Sequence, residues 1–364
     1  MKSLKMLLVM LVVVSQYSPA QMTEALRTGK GLVTTTIRQP DPAKPIQRIA
    51  MGSCGYQDLP QPILRIAADW NPDVFLFLGD NIYGDTENMD TLRAKYNRLG
   101  SKPEFKRLAE RSAILAVWDD HDYGVNDGGE EYPKKVESKE IFLQFWNEPA
   151  ASVRRQHPGI YHSSVCGPVG KRTQFIMLDN RTFRTPVVAG IPGKDINDYV
   201  VDTNRSARML GEDQWKWLED ELKKPAEVRI IMTSTQFVSE FNGYELWALK
   251  PFEKQRMIDL ISRTKANGVV FVSGDVHFGE LSMQKPDNTY PLYDLTASGI
   301  TSTDFPQPNR YRLAKEIHEN HFGAITINWE SADPSITFEI YNVVKDAVFS
   351  KSINLSELTF TSKR

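Results

Sequence analysis

Two cysteines are all that this 364-residue chain carries, which leaves room for at most one disulfide. Excess charge of either sign is also missing: 44 basic residues face 46 acidic ones, a formal net charge of −2. No global field therefore recruits nucleic acid or an anionic membrane, and an anionic substrate has to be attracted locally. Long hydrophobic runs are absent too. The one uncharged apolar run, Met6 to Val14, is far shorter than the roughly 20 residues a stable bilayer anchor needs. Internal repeats and a strong domain linker are likewise lacking. What remains is ordinary globular material, 41% hydrophobic and 25% charged, ample for one large core or two modest ones.

The N-terminus places Lys2 and Lys5 before that apolar run and Ser18-Pro19-Ala20 after it, the order of an export signal cleaved after Ala20. The mature protein is expected in a periplasm or outside the cell. Residues 21–46 are polar, Thr-rich and then punctuated by Pro40, Pro42 and Pro45, and read as a linker. The body spans residues 47–345, and the C-terminal tail, 346–364, is polar after about Ser352 and expected to fray there. Strand-like and helix-like runs alternate through the body, an α/β pattern. Helices are predicted at 62–69, 90–98, 103–111, 212–222 and 251–266. Alternating patterns near 324–329 and 336–343 predict an antiparallel pair, so the sheet is mixed.

Three segments carry the chemistry, each at the end of an apolar run that reads as a buried strand: Gly79-Asp80-Asn81-Ile82-Tyr83, Trp118-Asp119-Asp120-His121-Asp122 and Ser273-Gly274-Asp275-Val276-His277. Strand C-termini are where α/β sheets bind ligands. One acidic loop there is usually a turn or a helix cap. Three, with His and Tyr interleaved, point to a metal centre. Ile49 to Gly55 reads as a first strand running into a Gly-flanked loop toward the same edge, which offers Cys54 as a thiolate ligand. In an oxidising compartment the competing reading is a disulfide between Cys54 and Cys166, and both stand at this point.

A thiolate (Cys54) and a phenolate (Tyr83) with an imidazole (His277) favour Fe³⁺. Asp80 has two oxygens with which to bridge ions. Asp120 and Asp275, with Gln236 as a carbonyl donor, form an oxygen set suited to Ca²⁺, with Mn²⁺ or Mg²⁺ as alternatives. Tyr83 has a competing role as a packed tyrosine with a bonded tip. Arg181 is either a phosphate grip, with Arg184 beside it, or a scaffold partner of Asp179 or Asp122. The remaining histidines, His157, His162, His318 and His321, lack neighbouring motifs and read as structural or exposed.

These motifs, together with Gly52-Ser53-Cys54, Leu178 to Arg184, Gln214-Trp215 and Ala297-Ser298-Gly299, resemble in order and spacing the PhoD-like branch of the metallophosphoesterases, distant relatives of the purple acid phosphatases. The resemblance covers about residues 47–345. It implies a four-layer α/β/β/α sandwich with the site at the sheet edges. It also implies that Asp80 bridges metals, Tyr83 binds iron and Cys54 replaces a first-strand aspartate. Asp120 and His121 fall on an asparagine–histidine pair, and Asp275 and His277 on a His-x-His pair whose first member is replaced. Gln236 stands where a further histidine is usual, and each such exchange moves the second site toward Ca²⁺.

The implied reaction is hydrolysis of small phosphate esters by metal-activated water, with His121 protonating the leaving oxygen or stabilising the transition state. Monoester and diester substrates, the latter including a phospholipase-type activity, are equally open. From a different class comes a non-catalytic, Ca²⁺-stabilised binding protein on the same scaffold.

Overall fold

The computed structural model describes residues 35–191, 199–240, 244–304, 308–313, 315 and 317–360, and the expected export signal at 1–20 lies outside them. Two six-stranded mixed sheets dominate. The first contains β1 (Arg48–Gly52), β2 (Val74–Leu78), β3 (Ala113–Val117), β12 (His321–Asn328), β13 (Ser335–Asn342) and β14 (Ala347–Asn354), in the order β14-β13-β12-β1-β2-β3. The second orders β10-β11-β9-β8-β5-β4, from β4 (His162–Cys166), β5 (Thr173–Met177), β8 (Val228–Met232), β9 (Val269–Ser273), β10 (Gly279–Gln284) and β11 (Leu292–Ala297). A short ribbon pairs β6 (Val188–Ala189) with β7 (Tyr199–Val200).

The strands that end in the motifs run parallel. β1, β2 and β3 are parallel neighbours, as are β5, β8, β9 and β11. Every residue of β2, β3, β5, β8 and β9 is buried, which is why they read as continuous apolar runs and not as alternating ones. The alternation predicted near the C-terminus is present in β13, where every second residue is buried.

The sheets pack face to face. Tyr293 of β11 stacks on Phe338 of β13, with ring centroids 5.4 Å apart. Gly323 of β12 lies so close to Ala297 that a methyl group on it would sit 2.8 Å from the Ala297 side chain. On the first sheet, Phe77 packs against Phe105 of the helix Pro103–Arg111 and against Trp146. On the second, Phe237 stacks on Phe271 of β9 and meets Trp247, which in turn meets Trp215 of the helix Glu212–Lys223.

Two segments expected outside the body pack onto it. Among the described residues of the C-terminal tail, β14 pairs with β13 along its length, and Leu358, within the part expected to fray, is fully buried. Its sequence, AVFSKSIN, is polar because the strand is an edge whose residues are mostly exposed. The end of the expected linker is part of the body: Ile37 and Ile46 are buried, the Arg38 carbonyl accepts from Ile114 N–H at 2.9 Å, and Trp329 donates to the Ile46 carbonyl at 2.8 Å.

Candidate metal centre

The parallel strands of both sheets deliver their C-terminal loops to one seam. Backbone hydrogen bonds lock the loops together: Gly55 N–H donates to the Asp80 carbonyl at 2.9 Å, Ser53 N–H to Ala297 at 3.0 Å and Gly274 N–H to Ser234 at 2.8 Å. Crowding explains the glycine before Asp80. A methyl group on Gly79, whose φ is +103°, would lie 2.5 Å from Asp119 Cβ. Cys54 (φ 60°), Asp80 (49°), Asp275 (75°) and His277 (61°) all adopt left-handed backbone conformations, which L-residues hold only when the surroundings impose them.

The side chains converge. Among the described residues, three sets place their donor atoms within 4.8 Å of one another: Cys54, Asp80 and His277; Asp80, Asp120 and His121; and Asp80, Asp119, Asp120 and Asp275. Asp80 belongs to all three. Tyr83 joins the first set, its hydroxyl 3.2 Å from His277 Nε2 and 3.2 Å from Ser302 Oγ, with its ring against His121. Cys54 Sγ lies 3.4 Å from Asp80 Oδ2 and 3.0 Å from Ser298 Oγ. Cys54 and Cys166 are both free buried thiols, so the disulfide reading is not the arrangement found.

The electrostatics are those of a site built for cations. Asp80 Oδ1 and Asp275 Oδ2 are buried without a hydrogen-bond partner. Burial first, and then neighbouring acidic groups, push both carboxyls well above their ordinary range; Asp80 feels Cys54 and Asp120, Asp275 feels Asp119 and Asp120. Burial likewise raises the Cys54 thiol to about 12 and the Tyr83 phenol well above its usual value. Orphaned oxygens amid mutual repulsion are costly unless a cation satisfies them, so the donor set fits metal ions.

His121 behaves differently. Burial opposes its protonation, but the 2.7 Å contact of its Nδ1 with Asp85 and the charge of Asp120 outweigh that and raise it to about 9. Burial also opposes ionisation of Asp120, yet Arg181, His121 and the Asp127 N–H bring its carboxyl down to about 2.

Arg181 is fully buried and lies behind the carboxylates. Its guanidinium pairs with Asp119 and Glu245 and stands 3.8 Å from Asp120, while Arg184 pairs with the same Glu245 at 2.9 Å. The scaffold reading fits this placement: Asp119 and Glu245 pair with the guanidinium, while Asp179 accepts the Arg181 backbone N–H at 2.9 Å. Gln236, after β8, is buried, and its amide nitrogen donates to Glu280 at 2.8 Å and Thr296 at 2.9 Å. It is not among the residues lining the cavity over the site. That cavity, about 270 Å³, is lined by Asp80, Asp120, His121, Asn126, Asp127, Tyr199, Tyr244, Asp275 and His277.

Sequence reasoning passed over Asp119, Asp127, Tyr199, Tyr244 and Ser298. Asp119 and Ser298 sit inside quoted motifs, next to a nominated ligand and in Ala297-Ser298-Gly299. Asp127 lies beside Asn126. Tyr199 opens the two-residue strand β7 and Tyr244 sits in a loop, and a pattern of residues specifies neither placement.

Known proteins share this architecture. A solved structure of PhoD superposes with a TM-score of 0.61 at 17% identity, over 87% of this chain and 73% of that one. The purple acid phosphatase PPD1 of yellow lupin (Lupinus luteus) superposes with a TM-score of 0.59 at 13% identity, over 87% of this chain and 55% of that one. The mixed α/β fold is therefore that of PhoD and the purple acid phosphatases. The chain belongs to the PhoD-like phosphatase family, whose model matches residues 50–332. Alkaline phosphatase D of Bacillus subtilis (strain 168) is 24% identical over 311 residues, 75% of this chain; the chain spans about half (52%) of that protein's length.

Proposed function

We propose that this protein is an exported, metal-dependent phosphoesterase that cleaves phosphate esters by attack of water on phosphorus. The observation that carries the reading is the pair of orphaned buried oxygens, Asp80 Oδ1 and Asp275 Oδ2, inside interlocking sets of donors. Cys54, Asp80, Tyr83 and His277 would hold one ion, with Fe³⁺ the best match to the anionic phenolate and thiolate; Asp80, Asp119, Asp120 and Asp275 would hold another, suited to Ca²⁺. Such ions supply water activation near neutral pH and neutralisation of phosphate charge.

The chain's own residues do the rest. His121, held by Asp85 and lining the cavity, is the group that donates a proton to the leaving oxygen. Arg181 acts as a positioning residue: it fixes Asp119 and balances part of the carboxylate charge. Export rests on the Lys2 to Ala20 segment.

The test is hydrolysis of p-nitrophenyl phosphate and bis(p-nitrophenyl) phosphate before and after chelation, with Ca²⁺ restored afterwards. Chelator-sensitive turnover that Ca²⁺ restores is expected, together with loss of activity and altered metal content in a folded Asp80→Asn variant. Full activity in that variant would sink the reading. A metal-dependent rise in melting temperature without turnover of either ester would favour a binding protein on the same scaffold.

A further inference from the structure

A second cavity, of about 430 Å³, lies where the helix Pro251–Thr264 begins beside the end of β10, and the proposed reaction makes no use of it. Its volume falls in the roughly 300–1,000 Å³ of small-molecule sites. Val201, Ala248, Pro251 and Ile258 give it an apolar wall. Lys254 lines it too, with its side chain buried. The amine donates to two neutral acceptors, the carbonyls of Val238 at 3.0 Å and Ser239 at 3.4 Å. An ammonium has three hydrogens, so one is left over. Among the described residues no carboxylate forms an ion pair with it. Burial, only partly opposed by Glu240, accordingly pulls the amine down to about 8.

Glu240 brings the opposite charge to the same cavity, with its carboxylate held by Arg310 at 2.7 Å and by the Tyr311 hydroxyl at 3.0 Å. Gln284 adds an oxygen, Oε1, that is buried without a hydrogen-bond partner. A cation lacking an anion, a carboxylate beside an orphaned acceptor and an apolar wall suit one molecule that carries both charges and a hydrocarbon group. The segments that line this cavity also reach the metal centre. Tyr199 and Tyr244 line the cavity over the metals, whereas Val201, two positions after Tyr199, and Glu240 and Ala248, four positions either side of Tyr244, line this one.

We propose that this second cavity binds a free α-amino acid with an apolar side chain, its carboxylate on Lys254 and its ammonium toward Glu240 and Gln284, as an effector of the catalytic site. The effector role rests on the phosphoesterase reading; the binding site does not.

Calorimetry on the metal-loaded full protein at pH 7 compares L-leucine with 4-methylpentanoate, which lacks the ammonium, and 3-methylbutylamine, which lacks the carboxylate. Leucine is expected to bind at least about tenfold more tightly than either, the worth of one charged hydrogen bond. Lys254→Met should weaken leucine binding by about tenfold or more, and Glu240→Gln by a similar factor if the first variant fails to fold. No binding of leucine, or equal binding of either half-molecule, overturns the site. Binding unchanged in the folded variants places leucine elsewhere, the metals included, and overturns it as well. Saturating leucine should change the KM for p-nitrophenyl phosphate by about fivefold, the low end of coupling between sites. Unaltered kinetics with leucine bound overturn the effector role and leave the binding site standing. Failure of the protein to hydrolyse any ester overturns the phosphoesterase reading and the effector role with it, while the calorimetry still decides the site.

Discussion

Ser298 Oγ accepts the His277 backbone N–H at 2.8 Å and lies 3.0 Å from Cys54 Sγ. With its oxygen accepting from the backbone, the hydroxyl still has a hydrogen to donate to the sulfur when Cys54 is a thiolate. One small side chain thus orients two donors from different sheets. Partners of this kind typically change metal affinity about 10- to 100-fold when removed. Ser298→Ala is therefore expected to fold but to bind metal at least about tenfold more weakly, read by metal titration of the chelated protein. Unchanged affinity would deny Ser298 this role.

Arg181 gives a prediction about stability. Replacing it with methionine leaves Asp119 buried beside other carboxylates without its cation, and breaking a buried ion pair costs about 3–5 kcal/mol. Urea unfolding of Arg181→Met should show a loss of that order, partly recovered when Asp119→Asn is added. Wild-type stability with a raised KM would instead mark Arg181 as a direct phosphate contact.

Gly79 has neither room for a side chain nor a φ that favours one, as its +103° and the 2.5 Å approach to Asp119 Cβ establish. Left-handed strain and overpacking together predict that Gly79→Ala loses about 2–4 kcal/mol. It should also separate the Asp80 and Asp119 loops, so thermal unfolding and metal content are expected to fall together. A drop in stability with full metal content would show that the seam adjusts.

The acid limb of stability is expected to depend on His321. Burial lowers it to about 4, against about 6.5 in an unfolded chain, and its Nε2 has no partner. Between those values the unfolded state binds a proton that the native state refuses, so stability falls as pH drops from about 6.5 to 4, by up to about 3 kcal/mol. Urea unfolding over that range should show His321→Gln losing about one linked proton relative to the unaltered protein. Equal slopes would refute the assignment.

Much of this was legible in the chain because the strands that matter are buried on both faces. Val74–Leu78 and Ala113–Val117 announce themselves as apolar runs, and the residues after them are then placed by topology alone. Exposed edge strands give no such signal: β14 is mostly exposed and β4 only partly buried, so neither forms an apolar run, although each pairs with the strand next to it in sequence. For the site, sequence named the loops but not the partners within them. Nothing local tells that Arg181 turns to Asp119 and Glu245, or that Tyr199 and Tyr244, 45 positions apart by their numbers, face one cavity.

The left-handed backbone at Cys54, Asp80, Asp275 and His277 sets limits on redesign. Asparagine, aspartate, histidine and glycine tolerate that conformation best, whereas β-branched residues are excluded from it. A library meant to retune metal preference at these four positions is therefore small before any ligand chemistry is considered. Exchanges such as Asp275→Asn or Cys54→Asp keep the chain path, while threonine or valine at the same places would move the loops before they changed the ion.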